Sequence, residues 1–250
     1  MKRAFSKPTR DEAAQQQLFS SYQEAGYDGL QLKANQYSAF LAEPAKFQER
    51  WGDDPAHVES LITMNPLDAE GTARLRELFR FAQAVGSKRI VLCHDVRRDG
   101  LTDADLVRFA GELSQLGKEA AELGVRLSLH HHTNQPVMHR PDFDVFFDAV
   151  ADQAVALTVD TGHLMKSQVF DIAGLLRDLA PVIDNIHLKD FAAGEFRLLG
   201  QGTVDFAPIL EALSALSPET TLCVDEESRA SIEEGLQVSQ TFLRSSAIGQ

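Results

Sequence analysis

A single-domain α/β fold, a closed (β/α)8 barrel spanning residues 1–250, is the architecture the sequence predicts, and three observations predict it. Short β-branched apolar runs alternate with longer segments of helical period, so each helix carries the chain back and the strands pair in parallel. Eight such units fit into 250 residues, a length that suits a closed barrel. The rival, an open doubly wound sheet, usually carries a glycine-rich phosphate turn after an early strand. Neither G-x-G-x-x-G nor a P-loop occurs here.

The first strand, "RAFS" (3–6), is short. A helix ending at Gly26 leads to the second, "GLQLKA" (29–34). The third, "HVESLITMN" (57–65), opens with polar residues. A helix ending at Gly86 hands over to "RIVLCHD" (89–95). Thr102 caps the next helix, in which Leu106, Phe109, Leu113, Leu116, Ala120 and Leu123 line one face, and Gly124 closes it. "VRLSLHH" (125–131), "ALTVDT" (156–161) and "VIDNIHLKD" (182–190) are the fifth to seventh strands. Leu175, Leu176 and Leu179 lie on a helix stopped by Pro181. Asp205 and Pro208 open another through Ile209, Leu210 and Leu213, ahead of the eighth strand, "TLCVDEE" (221–227).

Aspartate and glutamate outnumber lysine and arginine 37 to 24, a formal charge of −13. Such a surface repels phosphate backbones and anionic lipid heads, so neither nucleic acid nor membrane is an expected partner. No run approaches the ~18 apolar residues of a membrane span, and the N-terminal segment lacks an apolar targeting core. Cys93 and Cys223 sit in apolar runs and read as buried thiols, which fits a reducing cytoplasm.

In such a barrel the catalytic groups sit at the C-terminal ends of the strands. Those tips hold Lys7, Lys33, Asn35, Asn65, His94, Asp95, His130, His132, Asn134, Asp160, His163, His187, Lys189, Asp190, Asp225, Glu226 and Glu227. Five of the eight histidines fall among them, and four consecutive strands ending in His or Asp predict a metal cup. Strand alternation sends His130 and His132 to one face and His131 to the other, and pairs His187 with Lys189. Asp160 reads either as a ligand or as the cap of the next helix. His94 reads either as a hydrogen-bonded barrel histidine or as a substrate contact.

The segments "GYDGLQLK", "SLHHH", "VDTGHL", "IHLKD", Arg197, "LGQGTVDF" and "VDEE" follow in order over nearly the whole chain. Together they resemble the xylose-isomerase-like TIM-barrel family of sugar isomerases and epimerases, which also holds ketose 3-epimerases, inosose dehydratases and the endonuclease IV branch. The resemblance implies one divalent ion held by a Glu, an Asp, a His and a second Glu from successive strands. The Asp falls on Asp160 and the His on His187. His130 stands where the first Glu is usual, and a histidine run at this strand is also a mark of the inosose dehydratase branch. The second Glu falls on Asp225, with Glu227 on the same face. The implied metal set is therefore His130, Asp160, His187 and Asp225, which suits Mn²⁺, Co²⁺, Zn²⁺ or Fe²⁺.

His163, Lys189 and Arg197 fall on positions that contact substrate, and Lys33, His94 and Asn134 join them from the strand tips. The implied activity is proton abstraction next to the carbonyl of a keto sugar or sugar phosphate, as in an isomerase or epimerase. The alternative is loss of water from a keto-polyol, and the remaining class is a sugar-binding barrel without catalysis. Asp225 or Glu227 is the expected base, and Lys189 or His132 the acid. A small sugar or polyol is the expected partner, and the resemblance also implies a homodimer.

Overall fold

The apolar runs marked as strands are covered on both faces, which is why they read as near-continuous hydrophobic stretches. A computed structural model of the chain describes residues 1–246, so the last four positions of the expected 1–250 domain lie outside the described residues. The strands in chain order are β1 (Arg3–Ser6), β2 (Gly29–Leu32), β3 (Ser60–Asn65), β4 (Arg89–His94), β5 (Arg126–His130), β6 (Val155–Asp160), β7 (Ile183–Leu188), β8 (Asp190–Ala192), β9 (Glu195–Arg197) and β10 (Thr221–Asp225). Eight of them close into a parallel barrel in the order β1-β10-β7-β6-β5-β4-β3-β2, while β8 and β9 form a separate antiparallel hairpin. The (β/α)8 expectation therefore holds.

The helix signals act as read. Thr102 and Asp105 cap each other at the start of the helix Asp103–Glu122. Gly26 and Gly86 close Glu12–Ala25 and Ala69–Val85 at φ of 96° and 81°. Several strand boundaries differ, three of them by enough to change what a residue does. The third strand starts at Ser60 because Pro55 opens a 3-10 turn through Val58. The eighth barrel strand stops at Asp225, which leaves Glu226 and Glu227 in the loop beyond it. Asp190, expected at the end of the seventh strand, instead begins the hairpin. Among the described residues no helix is long and apolar enough to cross a membrane.

The barrel interior is layered. At the N-terminal end, Arg89 donates to Asp184 Oδ2 at 2.8 Å and to Glu59 Oε1 at 3.0 Å, a buried charged plug. Above it, Ser128 Oγ lies 2.7 Å from Thr158 Oγ1, and Gln31 accepts from Ser60 Oγ and Asn185 Nδ2. Ile62, Val91 and Cys93 form a small apolar cluster apart from the main core. The main core lies between the strands and the surrounding helices, where Leu92, Leu127, Val159 and Leu188 point outward.

Candidate metal centre and active site

Period-two alternation decides which tip residues meet. On β5, Ser128 and His130 share the inner face, while Leu127 and Leu129 join the outer core. The same phase on β6, β7 and β10 delivers Asp160, His187 and Asp225 to the top of the barrel, all of them buried. His130 Nε2 lies 3.4 Å from Asp160 Oδ2, and His187 Nδ1 lies 3.5 Å from that oxygen and 3.7 Å from Asp225 Oδ2. Two groups of ligand-type atoms fit within 4.8 Å of one another: Asp160 with His187 and Asp225, and Asp160 with His130 and His163.

The bonding of His187 tests whether these residues suit a cation. Its Nε2 sits 2.9 Å from Gln31 Oε1. With that oxygen, which also accepts from Ser60 and Asn185, as the shared acceptor, the proton between the two residues belongs to His187 Nε2. His187 Nδ1 therefore presents a lone pair to the carboxylates. His187 Nδ1 and both ring nitrogens of His130 make no hydrogen bond, although buried polar atoms normally have partners, and the nearest charged neighbour of Asp160 Oδ2 is Lys189 Nζ at 3.2 Å. Converging buried acceptors of mixed imidazole and carboxylate type are the donor set of a divalent transition metal. The cap reading of Asp160 holds, because its Oδ1 accepts the His163 N–H at 2.8 Å at the start of the next helix, and Oδ2 is left facing the cluster.

Two lysines complete the charge pattern. Lys189 Nζ lies 2.7 Å from Asp225 Oδ2, 3.2 Å from Asp160 Oδ2 and 2.9 Å from Glu227 Oε2. Lys33 Nζ lies 2.6 Å from Asp225 Oδ1 and 2.7 Å from Glu227 Oε1. Burial disfavours the Lys189 ammonium, but Asp160, Asp225 and Glu227 outweigh it and hold the pKa well above the usual value. Burial would raise the Asp160 and Asp225 carboxyls, yet Lys189, with His163 at the first and Lys33 at the second, holds both well below the usual range. Glu227 is pushed up by burial and by Asp225, and drawn below its ordinary value by Lys189 and Lys33. Its side chain is 31% exposed, so it forms the rim of the cluster. Gly162 of "DTGH" makes room for this arrangement: a Cβ there would lie 2.9 Å from Lys189 Cγ.

The remaining expected residues separate. His131 is off the cup as alternation predicts, but it is buried against Phe143, and its Nε2 accepts the Asp160 N–H at 2.8 Å. His163 lies beside the cup, its ring 3.8 Å from that of His132 and its Nδ1 3.1 Å from Thr133 Oγ1. His132 Nδ1 lies 3.0 Å from the Thr133 carbonyl, which can only accept, so the proton is on Nδ1. Burial lowers the His132 pKa, and the neutral ring's Nε2 is an acceptor, which runs against the expected acid role. His94 is a correction: Val91 and Cys93 take the inner positions of β4, so His94 faces outward and packs edge-on against Phe109 at 4.5 Å. Asn134 is an exposed turn residue at φ 66°, a left-handed conformation that Asn tolerates, and its carbonyl accepts from Arg98. Arg197 lies on β9, ion-paired with Glu195, and shares a cleft of about 450 Å³ with Glu227.

Of the three acids in "VDEE", Asp225 enters the cluster, Glu227 forms its rim, and Glu226 turns away to Lys7 at 3.1 Å. Sequence reasoning missed Gln31, since a glutamine inside a short apolar strand was the only signal. It also missed Phe196, whose ring lies 4.5 Å from Lys189 Nζ. A larger cleft of about 870 Å³ opens beside Thr9, Asn35, Phe40 and Trp51. The titratable groups lining it are all exposed, so the chemistry follows the buried cluster rather than the volume.

Comparison with known proteins bears on this geometry. A family model described as "Xylose isomerase-like TIM barrel" matches residues 19–246. An inosose dehydratase of Clostridium botulinum (strain Alaska E43 / Type E3) is 28% identical over 63% of this chain and 63% of its own length. One from Geobacillus thermodenitrificans (strain NG80-2) is 30% identical over 48% of this chain and 46% of its own length. The chain thus spans between about half and two thirds of these curated relatives. Among solved structures, an IOLI protein described with a binding zinc atom superposes with a TM-score of 0.77 at 16% identity, covering 99% of both chains. An L-ribulose 3-epimerase superposes at 0.79 with 16% identity, covering 98% of this chain and 94% of that one. At these identities the superpositions establish the fold alone.

Proposed function

The chain belongs to the xylose isomerase-like TIM-barrel family, and on that premise we propose that it is a divalent-metal-dependent enzyme that removes a proton beside the carbonyl of a keto-polyol and then expels water, as an inosose-type dehydratase does. One observation carries this reading: β5 brings an imidazole, that of His130, and no carboxylate to the cluster. Asp160 and Asp225 come from β6 and β10, Glu227 from the loop after β10, and β5 contributes His130. An epimerase with two opposed carboxylates needs an acid where His130 stands. A single base with a separate acid is sufficient for elimination. The relatives described as inosose dehydratases support the same outcome.

His130, Asp160, His187 and Asp225 would hold the ion, with His163 next to them. When bound it supplies Lewis acidity toward the carbonyl and the neighbouring hydroxyl, which makes the α-proton more acidic. The zinc described for the IOLI neighbour fits this donor set, and Mn²⁺, Co²⁺ and Fe²⁺ fit it equally. Glu227, ionised at the rim, takes the α-proton. The C–H electron pair becomes the new double bond, and the C–O bond at the next carbon breaks. Lys189, held as an ammonium, gives the departing hydroxyl the proton with which it leaves as water. Lys33 and His163 orient substrate hydroxyls, and Arg197 contacts the part of the substrate that extends into the cleft.

A second reading, isomerisation or epimerisation of a keto sugar or sugar phosphate, draws on the 2.9 Å contact between Lys189 and Glu227, across which a proton is returned to a neighbouring carbon. One experiment separates the two. The protein is loaded with Mn²⁺ or Zn²⁺ and followed by NMR in D₂O with a panel of inososes and keto sugars. Dehydration consumes an inosose with loss of water. Isomerisation incorporates deuterium beside the carbonyl and retains all oxygens. A metal-loaded protein that does neither with any member of the panel defeats the proposal.

A further inference from the structure

The hairpin of β8 and β9 is tied at its base to the loop that follows it by a dense set of hydrogen bonds. The buried Asp190 carboxylate accepts four backbone N–H groups, those of Phe191 (2.8 Å), Gly200 (3.0 Å), Gly202 (2.8 Å) and Val204 (3.1 Å). These lie at the start of β8 and in the loop after β9, so one side chain clamps the base of the hairpin. Any side chain at Gly202 would collide with Asp190, which accounts for the second glycine of "LGQG". At the other end, Ala193 and Gly194 both have positive φ, 53° and 83°, the two-residue turn whose twist matches paired strands. Clamp and turn leave the hairpin little freedom.

What this frame holds in place is Phe196. The Lys189 ammonium lies over its ring, 4.5 Å from the centroid, and the His163 ring meets it edge-on at 5.1 Å. The carboxylates of Asp160, Asp225 and Glu227 lie against Lys189 Nζ, and the aromatic face is the remaining wall. We infer that Phe196 is a positioning residue: the face of its ring seats the Lys189 ammonium at the carboxylate end of the cluster, and Asp190 holds the hairpin that carries the ring. A ring face attracts a cation through its quadrupole, which an aliphatic side chain of similar bulk lacks. The consequence for turnover rests on the proton-donor role proposed for Lys189; the seating itself does not.

Two measurements on the full-length, metal-loaded protein test the seating and its effect separately. Lysine labelled with ¹³C at Cε, with the Lys189 signal identified by its loss in Lys189→Arg, should show Lys189 Hε protons shifted upfield by the ring. Phe196→Leu should remove that shift, and Phe196→Tyr should keep it. On whichever substrate turns over, Phe196→Leu should lower kcat about 3- to 30-fold with KM within twofold, the range a cation–π contact spans between exposed and desolvated sites. Phe196→Tyr should stay within twofold of the parent. An unshifted Lys189 signal in the parent protein overturns the inference whatever the enzyme does. Leu and Tyr variants of equal kcat overturn it too, because bulk alone would then suffice. If the shift is present and no substrate of the panel reacts, the seating stands and the reaction proposed above falls.

Discussion

Replacing Gln31 with leucine isolates the element that turns a buried histidine into a ligand. Gln31 is fully buried, and its Oε1 receives His187 Nε2 at 2.9 Å, Ser60 Oγ at 3.2 Å and Asn185 Nδ2 at 3.5 Å. Leucine keeps the volume and removes the acceptor. The His187 Nε2–H then loses its partner, and the ring is free to place its proton on Nδ1, the atom that faces Asp160 and Asp225. Loss of an outer partner of this kind typically weakens metal binding 10- to 100-fold, or about 1.4 to 2.8 kcal/mol. The buried donors left unpaired cost roughly another 1–3 kcal/mol of folding stability. Gln31→Glu is the matching control, since a carboxylate still accepts from His187. The assay is a Zn²⁺ or Mn²⁺ titration against a competing chelator, with urea unfolding alongside and the His187 tautomer read from ¹⁵N shifts. A Gln31→Leu protein that binds metal within twofold of the parent, with the His187 proton still on Nε2, would refute the reasoning.

Three further outcomes follow from the same geometry. His130→Ala should lower bound metal per chain, as measured by atomic emission; His131→Ala should keep the metal but lose stability, because it frees the Asp160 N–H, and equal metal loss in both would sink the face assignment. Burial depresses the His94 pKa to about 4, so the folded state takes up its proton later than the unfolded chain, for which the usual value is 6.5. Stability is therefore present above about pH 6.5 and lost as pH falls toward 4. His94→Phe should recover about 2 kcal/mol of the difference between pH 7.5 and pH 5 in urea unfolding, and identical pH profiles would contradict this. Arg89→Met removes the nearest cation from Glu59 and Asp184, both partly buried, and leaves Asp184 only the more distant Arg126 at 3.5 Å; it should lower stability by about 3 kcal/mol with the metal site intact, and a melting temperature within a degree of the parent would count against the plug.

The sequence by itself determined the eight barrel strands, their parallel pairing and several helix ends, though not the β8–β9 hairpin, because these rest on local periodicity and on capping residues such as Thr102, Gly26 and Gly86. It also determined which tips point inward on β5, β6 and β7, since period-two alternation is a local property: His130, Asp160 and His187 meet as expected. Where the phase of a strand could not be anchored, local reading failed. His94 lies on the outer face of β4, and neighbouring His and Asp letters could not reveal that. The tertiary structure alone decided which long-range partners meet. Gln31 reaches His187 across 156 residues, Lys33 reaches Glu227 across 194, and a clamped hairpin brings Phe196 over Lys189. Such contacts depend on barrel closure and strand stagger, which no short stretch of sequence encodes. They convert a rim of polar side chains into an arrangement of fixed tautomers and opposed charges.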